Sequence, residues 1–273
     1  MTPATRVIDT PRLATVAHEY EKEMARFLCD LIGIPHGSRD EGEVIQRIRQ
    51  EAEKVGFEEI RVDSAGSILN RIGSGRNVVM MEARTGARGA GELSGRVDDG
   101  CVHGRGACDA RAGLAAMVYA GKLIHELGLY DNFTLWVVAS PSGHYTFEEG
   151  GVHPDCMLLA EPTNLRILRG HRGDAAHEIL ARDAPLVLAE SHPLVEAAIA
   201  TYETLFELPP AIGKRIPGGD GAATPGVPTI GFGPGEEELA RTAGEHVPVL
   251  QLVKAAQFYA AFPAMYADAV GRR

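Results

Sequence analysis

The sequence predicts an α/β fold: a single domain of three layers, with helices covering both faces of a central, mostly parallel sheet. Three observations point there. Apolar strand-like runs alternate with amphipathic helical stretches along the chain, the order that builds parallel sheets. The runs 77–81, 133–139, 156–160 and 228–232 are nearly continuous in apolar residues, as strands buried on both faces read. The length of 273 residues, 45% apolar and 23% charged, suits one large globular domain.

The elements follow in order. Leu13, Val16, Tyr20, Met24, Phe27, Leu28 and Leu31 recur at helical spacing and predict one helix over 13–32, which Pro35 ends. Glu41 to Val55 reads as a second amphipathic helix, closed by Gly56. Two short strands, 60–62 and 67–69, flank an Ala65-Gly66 turn. After the strand 77–81, the stretch from Arg84 to Arg105 is rich in Gly, Arg and Asp without periodicity and reads as a long loop. Asp109 to Leu127 is a helix with Leu114, Met117, Val118, Gly121, Leu123 and Ile124 as its apolar stripe. Further on come strands at 133–139 and 156–160, a helix at 193–206, a strand at 228–232 and a last helix at 249–266. Gly213 to Val227 reads as a flexible loop, and Arg172 to Ser191 as a joint.

Composition narrows the function. A net charge of −10 argues against binding nucleic acid or an anionic membrane. Cys29, Cys101, Cys108 and Cys156 contain no CxxC pair, which argues against a zinc ribbon or a thioredoxin motif. The first residues lack an apolar signal core, and no apolar run approaches the ~20 residues of a membrane span. A cytoplasmic, reduced protein is the expectation. No nucleophile elbow, phosphate loop or dinucleotide fingerprint lies in a strand-turn-helix context, and the ten histidines form no HExxH pair.

Three segments carry a resemblance. Gly104-Arg105-Gly106-Ala107-Cys108-Asp109-Ala110-Arg111-Ala112-Gly113 opens a helix. Glu161-Pro162-Thr163-Asn164 is followed by Gly170-His171-Arg172-Gly173. Gly231-Phe232-Gly233-Pro234-Gly235 is followed by Ala240-Arg241 and Glu245. In this order they are similar to the GRGxxDxKGG, EPTN…GHRG and GFGPG…AHxxxE stretches of the M20 family of zinc peptidases and aminoacylases, of the acetylornithine deacetylase and succinyl-diaminopimelate desuccinylase type. The resemblance covers about residues 20–173 and 192–266. It implies the phosphorylase/hydrolase-like M20 catalytic fold, with Asp109 at the position that bridges two zinc ions and Glu161 at a ligand of the first.

Departures accompany the resemblance. Where the family carries GHxDT, this chain has Met81-Glu82-Ala83-Arg84-Thr85. Glu82 therefore stands at the metal-binding histidine and Arg84 at the aspartate that orients it. The family's Glu-Glu pair, general base then ligand, falls on Gly143-His144 without a gap. Glu148-Glu149, five residues on, are the displaced general-base candidates if the loop carries an insertion. Arg241 stands at the histidine of the second zinc. The family's lid domain has only Arg172 to Ser191 in its place, so residues 1–273 are expected to form one catalytic-type domain without a lid, and His177 within this joint is not assigned the lid's histidine role.

The chemistry follows from the residue types. A guanidinium is always charged and donates only, so it cannot ligate a metal. Arg84 and Arg241 are expected instead to pair with Glu82, Asp109 and Glu161 through forked hydrogen bonds, relieving repulsion among the carboxylates. Simpler roles stand beside this: Asp109 as a helix N-cap, and Glu82 and Arg84 as solvated residues at a strand end. The expected ligand pocket is Glu82, Arg84, Asp109, His144, Glu161 and Arg241, converging at the carboxyl ends of the strands. No cofactor is expected. The alternative is one divalent cation (Zn, Mg or Ca) on Glu82, Asp109 and Glu161. The expected function is a pseudoenzyme binding a small molecule or a protein partner, without two-zinc amide hydrolysis. The alternative is a hydrolase of C–N bonds in acyl-amino-acid or peptide-like substrates. A homo- or hetero-oligomer is expected, since loss of a lid uncovers surface.

Overall fold

The computed structural model describes residues 8–35, 41–86, 94–130, 132–141, 150–170, 187–214 and 226–271. Its main sheet has eight strands: β1 (Glu59–Val62), β2 (Ile68–Ile72), β3 (Asn77–Arg84), β6 (Phe133–Ser140), β7 (Cys156–Leu159), β8 (Ile167–Leu168), β9 (Ile212–Gly213) and β10 (Thr229–Gly231). They lie in the order β1-β2-β6-β3-β7-β10-β8-β9. The central four, β6, β3, β7 and β10, run parallel to one another. All their carboxyl ends therefore reach the same edge of the sheet. The α/β domain with a mostly parallel central sheet is as the sequence predicts.

Strand parity sorts the core. Val79, Met81, Leu135, Val137, Cys156, Leu158 and Ile230 face the described helices and form one large apolar cluster with them. Met80, Trp136, Val138, Met157 and Leu159 point to the other face and cluster with Leu69, Leu168, Val152 and Val227. The first cluster is centred on α4 (Arg111–Leu127), α5 (Pro193–Phe206) and α6 (Val249–Gly271). Helix α3 (Glu41–Val55) has the bounds the sequence predicts.

Several sequence expectations need correction. The single helix over 13–32 is two, α1 (Thr10–Glu19) and α2 (Glu21–Gly33), separated at Tyr20 with φ −93° and ψ 6°. The apolar stripe continues through the break, so its period cannot reveal it. Tyr20 is held there from outside: its hydroxyl donates to Glu126 of α4 and its ring packs against Tyr119. The long loop over 84–105 contains a hairpin, β4 (Arg96–Asp98) and β5 (Cys101–His103), to which β11 (His246–Pro248) adds a third strand. Three-residue strands are too short to show a period. Their signal was the turn Asp99-Gly100, both at positive φ, the pairing favoured in two-residue hairpins. The last helix runs on to Gly271, past the predicted 266. Of the predicted joint, residues 172–186 lie outside the described residues. Val187, just beyond them, bridges antiparallel to Gly170.

Candidate active site

The parallel strands deliver their terminal residues to one place. Glu82 and Arg84 share a face of β3 by strand parity, and β3 pairs with β6 so that Arg84 lies beside Ser140. Glu161 follows the end of β7 by two residues, and Gly233 follows β10 by two. Close packing fixes these ends. A Cβ at Gly113 of α4 would lie 2.3 Å from the carbonyl oxygen of Ala160, and one at Gly233 would lie 2.4 Å from that of Glu161. Only glycine lets the first turn of α4 and the 231–235 turn close against the chain that carries Glu161.

Asp109 reaches the site from the turn before α4. It is not the helix N-cap. That position is Ala110, at φ 68° and without a side-chain cap, so the helix begins at Arg111. The turn is held by Glu245, a buried carboxylate that accepts hydrogen bonds from the backbone N–H of Gly106 (2.9 Å), Cys108 (2.9 Å) and Asp109 (2.8 Å). The N–H of Arg241 adds a longer bond to the same carboxylate, 3.3 Å. Glu245 thus ties the Arg241 turn to the Asp109 turn. Arg111, fully buried, ties the start of α4 to the body of the domain. Its Nε donates to the carbonyl of Thr85 (3.1 Å) and an Nη donates to that of Leu31.

The charged groups then form a chain of ion pairs. Arg84 Nη2 donates to Asp109 Oδ1 at 3.1 Å and to Glu161 Oε2 at 3.0 Å. Arg241 Nε donates to Asp109 Oδ2 at 3.1 Å. Both oxygens of Asp109 therefore accept from arginines. Arg84, Asp109, Glu161 and Arg241 line one cavity of about 220 Å³ together with Pro162, Glu237 and Ala240. Arg241 is the open side of this cavity, with 44% of its side chain exposed, while Asp109 and Glu161 are buried. Glu82 is buried on the same strand as Arg84 and accepts a 2.7 Å hydrogen bond from Ser140 Oγ. It stands behind the ion pairs and is not among the residues lining the cavity.

Burial sets the electrostatics. It pushes the Glu161 carboxyl above the ordinary carboxylate range, with the Asp109 charge adding to the rise and Arg84 offsetting it. The Cys108 thiol beneath the site is raised strongly by burial and by Glu245, so it is no nucleophile at neutral pH. Desolvation, reinforced by Arg105, lowers the Arg111 guanidinium to about 10.

Gly143, His144, Glu148, Glu149 and His177 lie outside the described residues. Among the described residues, no group of three or more His, Cys, Asp and Glu side chains is arranged to hold a metal ion. No described helix is long and apolar enough to cross a membrane. Sequence reasoning missed four contributors: Glu245 as the anchor of the Asp109 turn, Arg111 as a buried tie, Ser140 as the partner of Glu82, and Glu237 in the cavity wall. Glu245 had a signal, four residues after Arg241 in a segment already singled out. Glu237 and Ser140 had none beyond polarity.

Comparison with known proteins adds the following. Residues 77–264 match the model of Peptidase family M20/M25/M40. YgeY of Escherichia coli (strain K12), itself uncharacterized, is 38% identical over 173 residues, covering 58% of this chain and 43% of that protein. A succinyl-diaminopimelate desuccinylase of Gluconacetobacter diazotrophicus is 35% identical over 86 residues, 28% of this chain and 22% of that enzyme. The chain thus spans less than half the length of the curated relatives it matches. Among solved structures, the di-peptidase Dug1p of Saccharomyces cerevisiae superposes with a TM-score of 0.73 at 10% identity, over 96% of this chain and 99% of that one. At that identity the likeness concerns the fold.

Proposed function

This chain belongs to peptidase family M20/M25/M40, and from that premise we propose that it is a pseudoenzyme of the family: a protein whose former catalytic pocket binds a small ligand and no longer hydrolyses amides through two zinc ions. One observation carries the reading. The carboxylate at the bridging position, Asp109, spends both oxygens on Arg84 and Arg241. The family's chemistry needs that carboxylate for metal, with nitrogen or oxygen ligands around it and a base for the metal-activated water. Guanidinium groups cannot ligate a metal, and their fixed charge beside the cavity opposes a dication. The residues present therefore fit two metal ions poorly.

What the pocket can do instead is bind. Arg241 and Glu237 face it from the solvent side, and Arg84 and Glu161 from within. The cavity of about 220 Å³ has room for a compact polar molecule. A charge-paired floor costs desolvation and stabilises only weakly, so a ligand that replaces one internal pair with its own charges need overcome little.

A second reading has an observation of its own. Glu82, Asp109 and Glu161 are all buried carboxylates, although among the described residues they are not arranged as a metal-holding group, so this reading requires Glu82 to turn toward the other two. Three carboxylates suit one hard cation with water completing the shell, and a hydrolase built on it would act on amide bonds of acyl-amino-acid or peptide-like substrates. The two readings separate in one experiment. Zinc content and amidase rate are measured for the wild type and for a variant carrying Glu82→His, Arg84→Asp, Gly143→Glu, His144→Glu and Arg241→His. Metal retention and activity gained only by the variant support the pseudoenzyme. A wild type that hydrolyses N-acyl amino acids with an added divalent cation defeats it.

A further inference from the structure

The small sheet holds a feature that the cavity does not use. Val102 of β5 and Val247 of β11 are buried, so their neighbours on each strand turn outward. His103 and His246 are directly opposite each other on that outer face. The backbone gives their spacing. Gly104 N–H donates to Glu245 O and Val249 N–H donates to Gly100 O, which makes 104/245 and 100/249 hydrogen-bonded pairs. The 103/246 pair is then of the non-hydrogen-bonded kind, where facing side chains approach most closely, with Cα atoms about 4.5 Å apart. The two imidazole rings stack with centroids 5.2 Å apart and an interplanar angle of 26°.

The proton position on His246 is also set. His246 Nδ1 is 2.8 Å from the carbonyl oxygen of Gly244. A carbonyl only accepts, so Nδ1 carries the hydrogen and the neutral ring offers its lone pair at Nε2. A backbone carbonyl that orients an imidazole in this way is the usual support of a metal-bound histidine. The His103 ring has no hydrogen bond to a described residue.

We propose that His103 and His246 form a two-imidazole site for a borderline dication, Zn²⁺ or Cu²⁺, with water completing its shell. Two nitrogens on one tetrahedral ion sit about 3.3 Å apart when each bond is about 2.0 Å. With ring centroids 5.2 Å apart, the site requires the rings to tilt toward each other about their χ2 axes. Imidazole suits these ions, and copper binds more tightly than zinc. Arg96, opposite His103 on β4, adds a positive charge to the same row and keeps the site weak and reversible. The location gives it a consequence. His103 leads directly into the Asp109 turn, and His246 follows Glu245, which anchors that turn to Arg241. An ion shared by the two histidines clamps the two segments that build the cavity, so it stabilises the folded chain by mass action.

The test uses the full chain without a histidine tag, titrated with zinc chloride. Imidazole Cε1–H resonances and the thermal midpoint are followed together. The expected result is a concerted shift of the His103 and His246 signals and a rise in midpoint. Either His103→Asn or His246→Asn should weaken zinc binding at least tenfold, and the double variant should abolish the response while melting like the wild type without zinc. His18→Asn, whose ring also meets a carbonyl, that of Ala14, should bind zinc as the wild type does. Unmoved His103 and His246 signals would overturn the proposal. So would wild-type affinity in the double variant, or a response lost on Asp109→Asn, since the ion would then sit among the carboxylates.

Discussion

Removing the Arg84 guanidinium tests whether the ion pairs hold the site together. In Arg84→Met the aliphatic stem is kept and the charge is lost. Glu161, which is 6% exposed, then has no described hydrogen-bond partner, because its bonds in the structure are to Arg84. Breaking a buried pair from one side costs about 3–5 kcal/mol. Arg84 itself retains 20% exposure, so the low end, about 3 kcal/mol, applies. With an unfolding entropy of about 2.1 cal/mol/K per residue over 273 residues, this lowers the thermal midpoint by about 5 °C. The pH dependence has a definite sign. The folded Glu161 carboxyl already lies above the ordinary carboxylate range through burial, and losing Arg84 raises it further. A folded value above the unfolded one means that the native state holds the proton longer, so stability falls as pH rises through that window. Below the window both states are protonated and this contribution vanishes. The penalty of Arg84→Met should therefore be larger near pH 8 than near pH 4, where free and buried carboxyls alike are largely protonated. Adding Glu161→Gln should recover most of it at the higher pH. Differential scanning calorimetry at the two pH values reads this directly. A variant as stable as the wild type near pH 8, or a penalty independent of pH, would refute the reasoning.

Three further outcomes are expected. Glu245→Ala leaves the N–H groups of Gly106, Cys108 and Asp109 without their buried acceptor, so it should cost at least 2 kcal/mol by the desolvation of orphaned donors, ~1–3 kcal/mol each before relaxation; hydrogen exchange should show protection lost at these amides first. Gly113→Ala should cost about 1–3 kcal/mol through overpacking against Ala160, whereas Gly42→Ala, with open space around its Cβ, should be neutral or stabilising by up to ~1 kcal/mol in the same urea titration. Glu51 has its carboxyl below the ordinary range, because bonds from Lys54, Tyr119 and Arg47 outweigh the upward push of burial. Its contribution is present above the ordinary range and lost as pH falls through the folded value, so Glu51→Gln should flatten the acid limb of the stability profile.

Much of the architecture could be read from the residues because burial imposes a pattern. The continuous apolar runs that became β3, β6 and β7, and the stripe of α4, needed no partner to be recognised. What escaped was set by distant contacts. The break at Tyr20 depends on Glu126, more than a hundred positions away, and β11 exists only because it pairs with β5. In the site, charges at family positions pointed to Arg84, Asp109, Glu161 and Arg241, and these meet in one cluster. Glu82 was placed in the same pocket because it stands at the family's metal-binding histidine. Strand parity puts it on the same face as Arg84, yet its hydrogen bond is to Ser140, behind the cavity. The reading of Asp109 as an N-cap failed because the chain makes a left-handed step at Ala110 before the helix begins, and nothing in a run of small residues announces that step.

The most direct test of the pseudoenzyme reading is zinc retained through exhaustive dialysis, counted per chain and read beside the hydrolysis rate of N-acyl amino acids, in the wild type and in Asp109→Asn. A carboxylate with both oxygens committed to arginines holds no zinc pair, and without metal-activated water the rate stays at background. The expected result is less than one zinc per chain in both proteins, with no difference in rate between them. Two zinc ions per wild-type chain, lost together with zinc-dependent hydrolysis on Asp109→Asn, would contradict it.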